Sequence, residues 1–310
     1  MIYEFKIATA TNNCDFLKDF NKRLEWIKQK GYSFHISTNR NNHDMIDITI
    51  SLKGKSNESV FRDEDIIYIF KHQISEVLAE HIINDWELKL LRKEINRRCK
   101  GVLKEDKEIV YDKSSTILRK YNDNDSLNLL MNFGRKNRIS HKIFDYMNND
   151  EILIVEGFIN FCMPDYLKEI KFTVDLAIEE LKNEKEYNEF VKLLRYFVNT
   201  QAPKLMEVNL MMKNNGRFYM WDENGKKIEE KYLNYYLEDI IMEEINLDDV
   251  LISILITIAP KRLILHNIEN FIKREPVEMI KNVFQDRIKI CTGCERCNRL
   301  LHSSKPYRNK

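Results

Sequence analysis

Residues 262–297 read RLILHNIENFIKREPVEMIKNVFQDRIKICTGCERC. Arg262–His266 is a short β-rich run, Pro276–Phe284 has helical spacing with proline at its start, and Arg287–Cys291 is strand-like again. A strand–helix–strand unit of this kind places Cys291 at the C-terminal edge of a sheet, where open α/β sheets carry their sites. The segment thus predicts a C-terminal α/β region and also where its chemistry sits.

Past the second strand comes Cys291-Thr-Gly-Cys294-Glu-Arg-Cys297, with His302 five residues on. Short spacing lets thiolates converge on one ion at small loop-closure cost. Three thiolates plus His302 make a tetrahedral zinc set. The same spacing opens a bacterial ferredoxin run, but the fourth Cys followed by Pro is missing. Radical-initiating iron–sulfur enzymes use a three-residue first gap, which this run also lacks. Zinc or an iron–sulfur cluster is therefore the candidate cofactor, with Cys291, Cys294, Cys297 and His302 as the candidate ligands. Two alternatives stay open: unliganded thiols at a strand end, and a Cys294–Cys297 redox pair.

Upstream, Leu205–Lys213 and Arg217–Asp222 flank Asn214-Asn215-Gly216, a hairpin pattern, and Tyr232–Glu244 and Asp248–Ile258 read as helices. Pro164 opens a long helix whose apolar stripe runs from Leu167 through Ile170, Val174 and Ala177 to Val191, Leu194 and Val198, ending near Pro203. Residues 152–161, ILIVEGFINF, are apolar enough to be expected inside. Leu127–Met147 and Asp63–Arg98 are helical, and the polar stretch Lys100–Asp125 between them reads as a linker or exposed excursion. At the N-terminus, Ile2–Thr9 is β-rich and Phe16, Phe20, Leu24 and Ile27 lie on one helix face closed by Gly31. Tyr32–Ser37 and Met45–Leu52 alternate as strands. The expected fold is a helix-rich α+β chain with a small α/β unit over 1–60, a mainly helical domain over 61–203, an α/β domain with the Cys cluster over 204–302, and a basic tail at 303–310.

Composition narrows the function. The 310 residues carry 50 basic and 49 acidic side chains, so no global field draws the chain to nucleic acid or an anionic membrane. The longest apolar run, Val250–Ala259, is far short of a bilayer span, and no export signal opens the chain, so cytoplasm is the expected location. Two basic clusters, Arg97 and Arg98 with their neighbours and Arg135, Lys136 and Arg138 with theirs, are the candidate nucleic-acid contacts; a solvated helix face is the plainer reading. The remaining histidines are scattered: His72 and His81 are nine residues apart, too far to share a metal along a helix, and His35 and His266 read as ordinary strand residues. Asp222-Glu-Asn224-Gly225 reads as a turn, not a calcium loop. Phosphate-loop, dinucleotide and nucleophile-elbow motifs are absent, and no catalytic residue can be named.

Glu156-Gly-Phe-Ile-Asn-Phe161, Tyr166, the run Glu186–Val198 with Gln201 and Pro203, Thr257–His266, and the Cys291–Cys297 cluster together resemble the YtxC-like family of sporulation proteins from endospore-forming bacteria. The family pattern has Arg after Phe161, where this chain has Cys162. The resemblance implies a sporulation-associated cytoplasmic protein and supplies no reaction. The leading expectation is a binding or scaffolding protein with a protein partner, or a homodimer, and a C-terminal metal or thiol site. The alternatives are a redox protein or enzyme using Cys291, Cys294 and Cys297, and a nucleic-acid binder.

Overall fold

The computed structural model describes residues 2–10, 16–40, 45–54, 62–120, 124–212, 218–228, 247–268 and 274–297. The Asn214-Asn215-Gly216 turn, the Tyr232–Glu244 helix, His302 and the basic tail lie outside the described residues. The fold is α+β and rich in helix, with two small mixed sheets. Contacts divide the chain into two compact units, Met1–Lys182 and Asn183–Lys310.

In the first unit, β1 (Tyr3–Thr9), β2 (Tyr32–Arg40), β3 (Ile46–Gly54) and β4 (Ile152–Ile154) form a sheet in the order β2-β3-β1-β4. The first three pair antiparallel, and β4 joins β1 in parallel. Helix α1 (Phe16–Gln29) buries Phe16, Phe20, Leu24 and Ile27, the face its spacing predicts. Gly31 ends it with φ 88°, a left-handed conformation that a side chain would disfavour. The long helical region is α2 (Asp63–His81) and α3 (Glu87–Arg98), joined by a π-helical turn at Ile82–Trp86. The wider turn shifts the helix face, so that Ile66, Phe70 and Ile74 before it and Leu91 and Ile95 after it are all buried. Helix α5 (Asp125–Asn149) starts on Asn124, whose side chain accepts from the Leu127 N–H at 3.1 Å, and runs unbroken through Gly134. Helices α6 (Val155–Cys162) and α7 (Pro164–Thr200) follow. Residues of the N-terminal 60 and of the helices up to Ala177 share one hydrophobic core.

Two expectations are corrected here. The polar stretch Lys100–Asp125 is no linker: it contains helix α4 (Lys104–Arg119), which buries Val110, Ser114 and Leu118. Its fully buried stripe is one side chain wide, with Tyr111 and Ile117 partly buried beside it. The Arg92 guanidinium on α3 covers Tyr111 of α4 at 4.1 Å, so aliphatic content understates the contact. Residues 152–161 are not wholly interior. Alternation in β4 buries Leu153 and leaves Ile152 and Ile154 half-exposed, and α6 turns Phe161 outward, 86% exposed, while Val155, Phe158 and Ile159 face the core.

In the second unit, β5 (Glu207–Met212) and β6 (Phe218–Asp222) pair antiparallel. Helix α8 (Leu247–Ile258), β7 (Arg262–His266), α9 (Glu275–Phe284) and β8 (Ile288–Ile290) complete the sheet order β6-β5-β7-β8, with β5–β7 and β7–β8 parallel. Val208, Leu210, Met212, Leu263 and Leu265 alternate onto one sheet face and pack with Leu251, Ile254, Leu255 and Ile258 of α8 and Val277, Ile280 and Phe284 of α9. The last residues of α7 belong to this core through Val191 and Val198. Arg287 ties the helix ends down: its guanidinium donates to the carbonyl oxygens of Val198 (3.1 Å), Ala259 (3.3 Å) and Pro260 (3.0 Å).

Leu118→Ala, which truncates the largest fully buried side chain of α4, is expected to lower unfolding free energy by about 2–5 kcal/mol. Chemical denaturation measures it; a change within about 0.5 kcal/mol, the range of a surface site, would return the segment to linker status.

Candidate metal centre

The parallel register of β7 and β8 brings the chemistry together. Leu265 pairs with Ile290, and the Cys291 N–H donates to the Leu265 carbonyl at 2.9 Å, so Cys291 follows β8 beside His266 at the end of β7. Gly293, at φ 120°, lets the chain turn back sharply, and Glu295–Cys297 form a helical turn. The result is a compact group: one donor atom each from His266, Cys291, Cys294 and Cys297, all within 4.8 Å of one another. Nδ1 of His266 is 3.3 Å from Cys297 Sγ and 3.6 Å from Cys294 Sγ. Cys297 Sγ lies 3.5 Å from Cys294 Sγ and 3.9 Å from Cys291 Sγ. The group can hold a metal ion.

A support surrounds it on the sheet face away from the core. Nε2 of His266 donates to Asn209 Oδ1 at 2.9 Å, and Asn209 Nδ2 donates to Glu207 Oε1 at 3.2 Å. An amide oxygen can only accept, so this bond places the imidazole proton on Nε2 and turns the Nδ1 lone pair toward the thiols. Trp221 lies along the imidazole with ring centres 5.1 Å apart, and the Arg296 guanidinium sits 5.5 Å from the indole centre. Burial first, then the Arg296 charge, holds His266 below its usual pKa, which keeps the ring neutral as a ligand must be. The thiols differ. Burial opposes ionisation of Cys294, but bonds from the backbone N–H groups of Cys297 and Arg296 and from neighbouring thiols outweigh it and lower its pKa. Cys297 is 5% exposed, and burial with its shared thiol contacts pushes it up to about 11.

Of the residues singled out by pattern, Cys291, Cys294 and Cys297 converge, and His302 lies outside the described residues. His266, read from the sequence as an ordinary strand residue, is the histidine in the cluster. Its place was legible in principle, since it ends the strand before Cys291 in a strand–helix–strand unit, but nothing local separates it from a packed histidine. Asn209, Glu207 and Trp221 carried no sequence signal. Asp222–Lys226 is a turn, as read, with Asp222 Oδ1 accepting from the N–H groups of Asn224 and Lys226.

The basic clusters face carboxylates. Arg97 and Arg98 both donate to Glu94, at 2.5 and 2.9 Å, and Arg98 also meets Asp175 at 3.0 Å. Lys136 pairs with Glu76 at 2.6 Å and Glu80 at 3.0 Å. Arg135 is buried, 3.3 Å from Glu87, and Arg138 stands 3.6 Å from Glu169. His81 pairs with Asp85 at 2.8 Å on its own helix, apart from His72.

In the reduced, metal-free protein, iodoacetamide at neutral pH is expected to alkylate Cys294 before Cys297, because the thiolate is the nucleophile. Peptide mass spectrometry over a time course reads the order; Cys297 reacting before Cys294 would contradict the assigned thiol environments.

A family model described as the YtxC-like family matches residues 72–289. The chain is also 25% identical over 161 residues to a protein described as uncharacterised YtxC from Bacillus subtilis (strain 168), an alignment that takes in 52% of this chain. It spans 56% of that relative's length. No solved structure matches. Among the described residues, no helix is long and apolar enough to cross a membrane.

Proposed function

The chain belongs to the YtxC-like family, and from that premise we propose that it is a binding or scaffolding protein of sporulating cells whose C-terminal unit is organised by a zinc ion on His266, Cys291, Cys294 and Cys297. The observation that carries the zinc assignment is the spacing of the donors. Around a tetrahedral zinc with Zn–S near 2.3 Å, sulfur atoms stand about 3.8 Å apart. The sulfur pairs at 3.5 and 3.9 Å fit that spacing. A polynuclear iron–sulfur cluster spreads its thiolates around several metal atoms, farther apart than a group held within 4.8 Å.

The donor set also speaks to the role. Four protein ligands close a tetrahedral shell and leave no position for water or substrate, which is the pattern of structural rather than catalytic zinc. Such an ion would join the ends of β7 and β8 to the Cys294–Cys297 turn and contribute folding free energy directly, with thiol protons released on binding. The sporulation assignment rests on the family resemblance alone, and a cytoplasmic location accords with it. A nucleic-acid role gains no support from the basic clusters, whose cations meet carboxylates of the same chain.

Purification under anaerobic conditions followed by elemental mass spectrometry and absorbance spectroscopy tests the proposal. One zinc per chain is expected, lost in the Cys291→Ser/Cys294→Ser/Cys297→Ser variant, with a lower melting temperature after chelation. Asn209→Ala is expected to weaken zinc binding by roughly 10–100-fold while leaving all four donors in place. Iron with sulfide absorbance would replace zinc by a cluster. A metal-free protein that forms a reversible Cys294–Cys297 disulfide would move the reading to dithiol chemistry.

A further inference from the structure

The first half of α5 has its polarity reversed. Over residues 125–135 the side chains turned into the first unit are polar: Asn128 and Arg135 are buried and Asn132 is half-buried. Asn132 Oδ1 accepts from Arg135 Nη2 at 3.0 Å, and Asn132 Nδ2 donates to the Arg119 carbonyl, at the end of α4, at 3.1 Å. Leu127, Leu129, Leu130, Met131 and Phe133 face outward instead, with Leu129 and Leu130 76% and 63% exposed. The surface helix of a globular chain on its own has the opposite arrangement. Beside this ridge runs an open groove of about 780 Å3, whose lining includes Leu129, Leu130 and Phe133 of α5 and Ile83 and Asn84 of the π-helical turn. A contiguous exposed apolar patch of this kind marks an interaction surface.

We propose that this surface joins two copies of the chain, with their α5 helices packed antiparallel about a two-fold axis. Its size fits. The five outward side chains expose on the order of 500 Å2, most of it apolar. A standard interface buries about 800 Å2 per partner, a little over half of it apolar, so the patch supplies the apolar share of one side. Its charge fits as well. A two-fold interface sets a patch against itself, so net charge on the patch would repel the second copy. Residues 126–134, SLNLLMNFG, carry no charge, which gives an acidic or basic partner nothing to grip and leaves a second copy unopposed. Ridge and groove adjoin on one face, so each copy can seat Leu130 and Phe133 in the groove of the other. Antiparallel packing also brings the Asp125 end of each helix beside the Arg138 end of the other, about 20 Å along the helix.

Sedimentation velocity of the full-length protein under reducing conditions, from about 1 to 100 μM, tests the surface. A reversible monomer–dimer equilibrium with no larger species is expected. Leu130→Glu/Phe133→Glu is expected to raise the dimer Kd by about 100-fold or more. Leu130→Ser/Phe133→Ser, which adds no charge, is expected to weaken the dimer in the same direction. Both side chains already meet solvent in the single chain, so the far-ultraviolet circular dichroism of either variant should match the parent. Leu103→Glu, at the far end of α4 from Arg119, is the control and is expected to leave the dimer intact. A monomer at every concentration, a growing series of larger species, a dimer that survives both double variants, or one that Leu103→Glu dissociates equally would each overturn the proposal.

Discussion

The hydrogen bond from the Cys291 N–H to the Leu265 carbonyl, 2.9 Å long, closes the parallel register of β7 and β8, and the second unit's chemistry depends on it. Parallel strands end at the same edge of a sheet, so whatever follows β8 emerges beside whatever ends β7. A slip of one residue would turn Cys291 to the opposite face and separate it from His266. The register is itself anchored by Leu263 and Leu265, which must face α8 and α9 to remain buried. Hydrophobic alternation on one face of the sheet thus gathers, on the other, four donors that could hold a metal ion.

The support of the site follows the same logic. Asn209 and His266 lie on neighbouring strands, β5 and β7, and only pairing of those strands brings amide and imidazole to 2.9 Å. The amide settles the tautomer, burial and Arg296 keep the ring neutral, and Trp221 limits its rotation. Together they hold Nδ1 with its lone pair toward the thiols, the orientation a metal ligand needs.

The first unit handles buried polarity differently. Glu87, Arg135 and Tyr166 sit within its helices with a partly satisfied network, and burial raises the Glu87 carboxyl above the ordinary range despite the nearby guanidinium. A buried pair of this kind is costly, and removing one partner would leave an uncompensated charge. Lys136, one residue along α5, instead meets two carboxylates at the edge of the core. Adjacent basic residues in the text of the chain thus have opposite surroundings in the fold.

Much of the secondary structure was legible because periodicity is local. The Phe16–Ile27 stripe, the strand–helix–strand run ending at Cys291, and the clustered thiols all follow from spacings within a few dozen residues. Where burial rested on a narrow stripe, as at Val110, Ser114 and Leu118, or where a short apolar run served two faces, as at residues 152–161, composition misled. The three cysteines are near neighbours in the chain and announced themselves. His266 stands 25 residues before Cys291, and Asn209 57 before His266, distances over which no spacing rule operates. Strand pairing selected them, because the sheet's register decides which distant side chains share a face and an edge.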